Sequence, residues 1–413
     1  MSLQRRSFNR LVVQALAVST SALVGAGCAG PSTLSARSAS RPASRNGARG
    51  DAKSGLVILA QFPDVPHAVP RGWAQRRFLR DLPDYVSEMS YGRVRIEATI
   101  TEEWKTLPRS GAQYAISPRN LEVDRSRVRR LVDDAVNAVD REVDFSKYDF
   151  TSVFLGAKRE EYGMIGLCAW PGMLGWSTKE SLKTAGGQVV RGGVAIFSYQ
   201  AHLGTLFHDV AHILGGVRDG KRVVPCLYDH DLQARPGPLR DVFLGAVINM
   251  GFWDPMSCHF YKREIPPPGI SSWTKLRLGW ADTKQVRVVK PTERTELLLG
   301  PLEDGSSEVL AIKIPLSATT YYLVENRQPA GFDRHLPGHG VLIMHADDTI
   351  AECRRGQAPV KLVDADPTIP RLEGAAFDFP QKTTFVDGRN RLRVTLLEKG
   401  ASGYRIRVEP IAQ

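Results

Sequence analysis

His208 and His212 stand four residues apart in the apolar stretch LFHDVAHILGG, residues 206–216, with Asp209 directly after the first histidine. On a helix that spacing places both rings on one face, close enough to ligate one Zn²⁺, and directs the intervening acid toward the position where the ion activates water. The surroundings strengthen the reading. A β-rich run precedes the pair, Gly215-Gly216 stops the helix through glycine's left-handed conformation, and about forty residues later GFWDPMSC supplies Met256 for a methionine-containing turn beneath a metal. The rival account makes both histidines core residues, although histidine has only an intermediate preference for burial.

The elements that must position this pair are legible as patterns. Gly55 to Phe62, GLVILAQF, is continuously apolar and reads as a strand buried on both faces. Val128, Leu131, Val132, Ala135, Val136 and Val139 fall on one face of a helix. Residues 192–199 read as a further strand that leads almost directly into the histidine helix. From Gln285 onward, QVRVV, TELLL, EVLAIKI, TYYLVEN, GVLIMHA, RLRVTLL and GYRIRVE alternate between apolar and polar and are separated by Gly, Pro and Asp, as in a β-sandwich.

The N-terminus reads as an export signal over residues 1–27, followed by a Ser/Ala/Arg/Pro-rich linker over 28–53. Arg5-Arg6 with Ser7 and Phe8 resembles a twin-arginine signal, and Cys28 after Ala26-Gly27 resembles a lipoprotein acceptor, although Gly25 stands where leucine is usual. These features predict a periplasmic or cell-envelope lipoprotein, or a secreted protein, with membrane attachment through Cys28. Residues 1–53 carry seven Arg and one Lys against one Asp, hence +7 of the chain's +11. The remaining +4 over 360 residues gives no support to nucleic-acid binding. Cys168, Cys226, Cys258 and Cys353 form an even set that can pair in an oxidising compartment.

Several segments together resemble the zinc metallopeptidases similar to immune inhibitor A. They are LVILAQFPD (56–64), SEMSYGRVRIE (87–97), GTLFHDVAHILG (204–215), CLYD (226–229), GFWDPMS (251–257), SSWTKLRLGW (271–280), YYLVENRQ (321–328) and LPGHGVLIMHAD (336–347). The resemblance implies an α+β protein, with a zincin-like metallopeptidase domain over 54–283 and a β-sandwich-like C-terminal domain over 284–413. It also implies cleavage of peptide bonds in extracellular or periplasmic proteins, with His208 and His212 as metal ligands.

The chain departs from that pattern at the chemistry. Asp209 stands where the family has glutamate as general base, which withdraws the carboxylate by roughly 1.5 Å, and a displacement of about 1 Å can cost about 100-fold in rate. Arg218, three residues after Gly215, cannot be the third ligand. Aligning VPCLYD with the family's usual LPDLYD implies an insertion of about eight residues after Gly215 and places Cys226 where aspartate is usual. Asp229 is the first choice for third ligand, with Asp219, His230 and Cys226 as alternatives. Cys226 is either a thiolate ligand or the partner of Cys258 in a disulfide, and the disulfide is the expectation. Tyr228 and His259 are candidates for steadying an oxyanion. Asp347, Asp348, Asp364 and Asp366 are either a calcium site or ordinary surface acids. Two functions follow: an exported zinc endopeptidase attenuated at Asp209, or a catalytically silent relative that binds or assembles at the cell envelope.

Overall fold

The computed structural model describes residues 50–117, 123–176, 182–229 and 249–411, so Arg5, Arg6, Cys28 and His230 lie outside the described residues. The fold is mixed α and β with several sheets. The first sheet contains β1 (Asp51–Gln61), β2 (Val94–Ile100), β3 (Lys105–Thr106), β4 (Phe150–Leu155), β5 (Gly166–Trp170) and β6 (Gly193–Ser198). Its order is β2-β1-β4-β6-β5, with β3 also paired to β1; only the edge strand β5 runs antiparallel to its neighbour.

Among the described residues this half also holds helices α1 (Arg71–Arg76), α2 (Leu82–Met89), α3 (Gly111–Tyr114), α4 (Arg125–Asn137), α5 (Arg159–Tyr162), α6 (Leu203–Gly215) and α7 (Ser272–Arg277). Side chains alternate across a strand, so β1 feeds two cores. Leu56, Ile58 and Ala60 join the α4 stripe of Val128, Leu131, Val132, Ala135 and Val136. Val57 and Leu59 join Leu206, Phe207 and Val210 of α6. The continuous apolar run predicted from sequence is therefore a strand covered on both faces.

The short pair β7 (Val217–Arg218) and β8 (Lys221–Arg222) follows α6. The later strands are β9 (Val286–Val288), β10 (Thr295–Leu299), β11 (Ala311–Pro315), β12 (Thr320–Arg327), β13 (Gly340–Asp347), β14 (Val360–Leu362), β15 (Thr384–Asp387), β16 (Leu392–Gly400) and β17 (Gly403–Pro410). They form two sheets, β14-β13-β12-β11-β9 and β10-β17-β16-β15. Ile312, Val324 and Ile343 of the first share a core with Val394, Ile406 and Val408 of the second. The opposite face of the five-stranded sheet is also covered, because Ala311, Leu323, Leu342 and Met344 pack into the cluster that holds Phe207 and Val210 of α6. The expected boundary at 283/284 thus falls inside one compact unit, Arg49–Gln413. Among the described residues, no helix is long and apolar enough to cross a membrane.

A buried ionic cluster ties the two halves. Arg327 at the end of β12 is fully buried; its Nε donates to Asp333 Oδ2 at 2.6 Å and its Nη1 to Glu325 Oε1 at 3.0 Å. The same guanidinium donates to the carbonyls of Trp253 at 3.0 Å and Gly269 at 2.9 Å, on the segment that contains Met256. Removing one partner of a buried ion pair leaves an uncompensated charge. Arg327→Met is therefore expected to lower unfolding free energy by about 3–5 kcal/mol in denaturant titration. A loss below about 1 kcal/mol would show that the cluster does not hold the halves together.

Candidate metal centre

The histidine helix begins on a side-chain cap, with the backbone N–H of Gly204 donating to His202 Nδ1 at 3.0 Å. A Cβ at position 204 would lie 1.6 Å from the carbonyl oxygen of His259, so glycine is needed for that segment to lie against the helix start. The helix ends at Gly215, and Gly216 follows with φ of 66°. The chain then forms a hairpin with Val217 opposite Arg222 and Arg218 opposite Lys221. Its two-residue turn, Asp219-Gly220, has positive φ at both positions, 51° and 71°, as a twist-matched hairpin turn requires.

Both imidazoles are 1% exposed and both are oriented by backbone carbonyls. His208 Nδ1 donates to Pro255 O at 3.0 Å and His212 Nδ1 to Val224 O at 2.7 Å. A carbonyl oxygen can only accept, so each Nδ1 carries a proton and Nε2 is the ring nitrogen that faces the donor group. The two Nε2 atoms are 3.1 Å apart, and Cys226 Sγ lies 3.4 Å from the first and 3.3 Å from the second. Among the described residues, these three are the group of metal-ligating side chains whose donor atoms converge. Zinc bonds of about 2.0–2.1 Å to nitrogen and about 2.3 Å to sulfur, at tetrahedral angles, require N···N near about 3.4 Å and N···S near about 3.6 Å. The donor set therefore fits zinc to within a few tenths of an ångström. Oriented Nδ1 protons are the outer-shell arrangement that metal-binding histidines use.

The turn holding His208 is itself fixed. Asp254, fully buried, accepts from Met256 N–H at 2.8 Å, Ser271 N–H at 3.0 Å, and the hydroxyls of Ser271 and Thr274 at 2.6 Å each. The N–H of Leu227, next to Cys226, donates to Met256 O at 2.8 Å. The methionine turn and the cysteine segment are thus a single hydrogen-bonded unit beneath the histidines.

The other predicted site residues are distributed around this group. Asp229 is buried and accepts from Gly356 N–H; its carboxylate is not among the three converging donors. Asp219 is exposed in the hairpin turn. Tyr228 stacks on His208 with ring centres 5.5 Å apart, and burial, then Cys226, raises its pKa well above the usual phenol value. His259 lies 4.5 Å from His208, ring centre to ring centre, and bonds to Thr205 Oγ1 at 3.0 Å; burial lowers its pKa. Burial pushes the Asp209 carboxyl up to about 8, opposed by Arg222 and by a hydrogen bond from the backbone of Cys168 on β5.

The disulfide expected between Cys226 and Cys258 is not formed, and all four described cysteines are free thiols. Cys226 Sγ faces the two imidazoles, whereas Cys258 Sγ is directed to Phe260 O at 3.6 Å. The four acids considered for calcium do not converge. Asp347 caps Thr349, Asp348 pairs with Arg277, Asp364 accepts from Asp366 N–H, and Asp366 pairs with Lys382. Sequence reasoning missed Arg222. Its Nη1 is 3.3 Å from His212 Nε2 and 3.6 Å from Cys226 Sγ. The Asp219-Gly220 turn was the available signal, because a two-residue hairpin folds position 222 back beside the helix end.

No family model and no curated protein matches the chain. Among solved structures it is similar to metalloproteinase-II from Bacteroides fragilis, at 10% identity and a TM-score of 0.30, over 55% of this chain and 52% of that one. The chain thus spans about half the length of that structure. At this TM-score the likeness decides neither fold nor activity.

The geometry predicts one tightly bound zinc per chain. Cys226→Ser and the double change His208→Ala with His212→Ala should each lower bound zinc at least about tenfold, because soft thiolate and imidazole donors are lost. Asp229→Ala should retain it. Metal analysis after equilibrium dialysis against a chelator series checks this; zinc lost with Asp229 and kept with Cys226→Ser would reverse the ligand assignment.

Proposed function

We propose that the chain is a zinc-dependent, metallopeptidase-like protein whose metal is held by His208, His212 and Cys226, with peptide-bond hydrolysis attenuated at Asp209. The observation that carries this reading is the convergence of two Nε2 atoms and one Sγ within 3.4 Å of one another, each ring oriented through its Nδ1 proton. When bound, zinc supplies Lewis acidity that lowers the pKa of water and polarises a carbonyl, tempered here by the anionic sulfur ligand. The resemblance of the segments at 204–215, 226–229 and 251–257 to immune inhibitor A-like enzymes supports a protein or peptide substrate. The N-terminal Arg5-Arg6 and Cys28 support export to the cell envelope.

The chain's own residues divide the remaining work. Asp209 follows the first ligand on the same helix; with its carboxyl pushed up to about 8 by burial it holds a proton near neutral pH, and it would serve as a base only where a bound cation lowered that value. Tyr228, which keeps its proton and stacks on His208, is the donor available to a developing oxyanion. His259 braces the start of the helix through Thr205.

A second reading, a metal-binding protein without catalysis, is favoured by one observation. The three donor residues are only 1–2% exposed and Asp209 is engaged by the backbone of β5, as in a closed structural site. Variants at Asp209 discriminate between the two. Under the attenuated-peptidase reading, Asp209→Glu should raise chelator-sensitive hydrolysis of an unstructured protein about tenfold, since about 1 Å of reach can cost up to about 100-fold. Asp209→Ala should lower it, with metal content unchanged in both. No hydrolysis by either wild type or the glutamate variant would favour the silent metal protein. A wild type faster than the glutamate variant would show that the site is fitted to aspartate.

A further inference from the structure

Two pairs of cations gather at the start of α6 without carboxylate partners. Arg76 and Arg77 follow Trp73 by three and four residues, so the helix brings both over its ring, with guanidinium carbons 4.6 and 5.4 Å from the centroid. Trp73 is itself fixed, because its Nε1 donates to Tyr199 O at 3.1 Å. Three residues later His202 caps α6; its Nε2 donates to Ile265 O at 2.8 Å, and its ring centre lies 4.6 Å from that of Phe260. These contacts hold Lys262 and Arg263 beside the same helix start. Burial lowers the His202 pKa to about 4 against the Ile265 bond, and the charges of Arg77 and Arg263 both add to the shift. Arg76, Lys262 and Arg263 are exposed, and Arg77 is half-buried. Among the described residues none of the four is in an ion pair. Asp81, whose charge also reaches Arg77, pairs with Arg80 at 2.9 Å, and Glu264 is exposed beside Arg263.

Like charges stacked on one ring repel, and a carboxylate relieves them because its two oxygens match the guanidinium fork. We propose that Arg76, Arg77, Lys262 and Arg263 form a docking surface for an acidic segment of a partner protein, one with several Asp or Glu side chains close together in its chain. The geometry favours a peptide over a lipid surface. The chain stays helical from Arg71 to Met89, and farther along that run exposed Asp84 and Glu88 would meet an anionic membrane with like charge. A short acidic segment engages the basic end alone, where opposite charges meet and none of the same sign is opposed. His202 stands six residues before His208, about 9 Å along the helix at 1.5 Å per residue. The surface therefore needs no access to the buried donors, and the inference goes beyond the metal reading and stands without it.

The test titrates the full chain into a short fluorescein-labelled peptide of alternating Glu and Gly, with the same peptide carrying Gln for Glu as control, and reads fluorescence anisotropy. At low ionic strength the Glu peptide is expected to bind at least about tenfold more tightly than the Gln peptide, and high salt should remove that advantage. Arg76→Gln with Arg77→Gln, and separately Lys262→Gln with Arg263→Gln, should each weaken binding of the Glu peptide about tenfold. Arg287→Gln, at an exposed position on β9, should leave it unchanged. If the first pair of changes prevents folding, the second pair, at exposed positions, still decides. Equal binding of the Glu and Gln peptides, or an equal loss in Arg287→Gln, overturns the proposal and leaves only an effect of net charge. Binding of phosphatidylglycerol vesicles without binding of the Glu peptide would make the surface a membrane contact and overturn it as well. Zinc-loaded and chelator-treated protein should bind the Glu peptide alike; binding that disappears with the metal would place the acid at the metal group and contradict the assignment to these four residues.

Discussion

The candidate site depends on one constraint: each imidazole must keep its proton on Nδ1. Donation from His208 to Pro255 O and from His212 to Val224 O leaves two Nε2 atoms facing inward, 3.1 Å apart, with the Cys226 sulfur against both. With the opposite tautomer at either ring, a proton would point into the donor group and the arrangement could not bind an ion. The two carbonyls are therefore as much a part of the site as the three ligands.

Those carbonyls are positioned from a distance. Pro255 follows Asp254, whose carboxylate gathers the Met256 turn and the start of α7, and Trp253 O is held by Arg327 from the end of β12. Arg327 is in turn oriented by Glu325 and Asp333. The segments SSWTKLRLGW and YYLVENRQ lie far from the histidines in the chain and still serve the site. They supply Ser271, Thr274, Glu325 and Arg327, which fix the turn that orients His208. The five-stranded sheet thus serves the site although it contributes no ligand.

The parts of this arrangement that were legible in the sequence are those governed by local periodicity. The four-residue spacing of the histidines, the apolar stripe of α4, the two-sided burial of β1 and the alternation in strands such as Thr295–Leu299 each depend on a helix or strand repeat alone. The third donor did not follow such a rule. Cys226 reaches His208 across 18 residues through a hairpin whose length only the fold reveals, and Asp229, three residues further on, is held by Gly356 far along the chain. The shared core was hidden for a similar reason: the alternation read in β12 implies one buried face, whereas Leu323 packs into the cluster that holds α6 and Val324 into the core between the two later sheets.

The identity of the third ligand is most directly tested by zinc-edge X-ray absorption on the reconstituted full chain. A His–His–Cys centre predicts one sulfur scatterer at about 2.3 Å together with nitrogen or oxygen scatterers at about 2.0–2.1 Å, including imidazole features from two rings. A shell of nitrogen and oxygen alone, with no sulfur, would contradict the assignment of Cys226 and return the site to a carboxylate ligand.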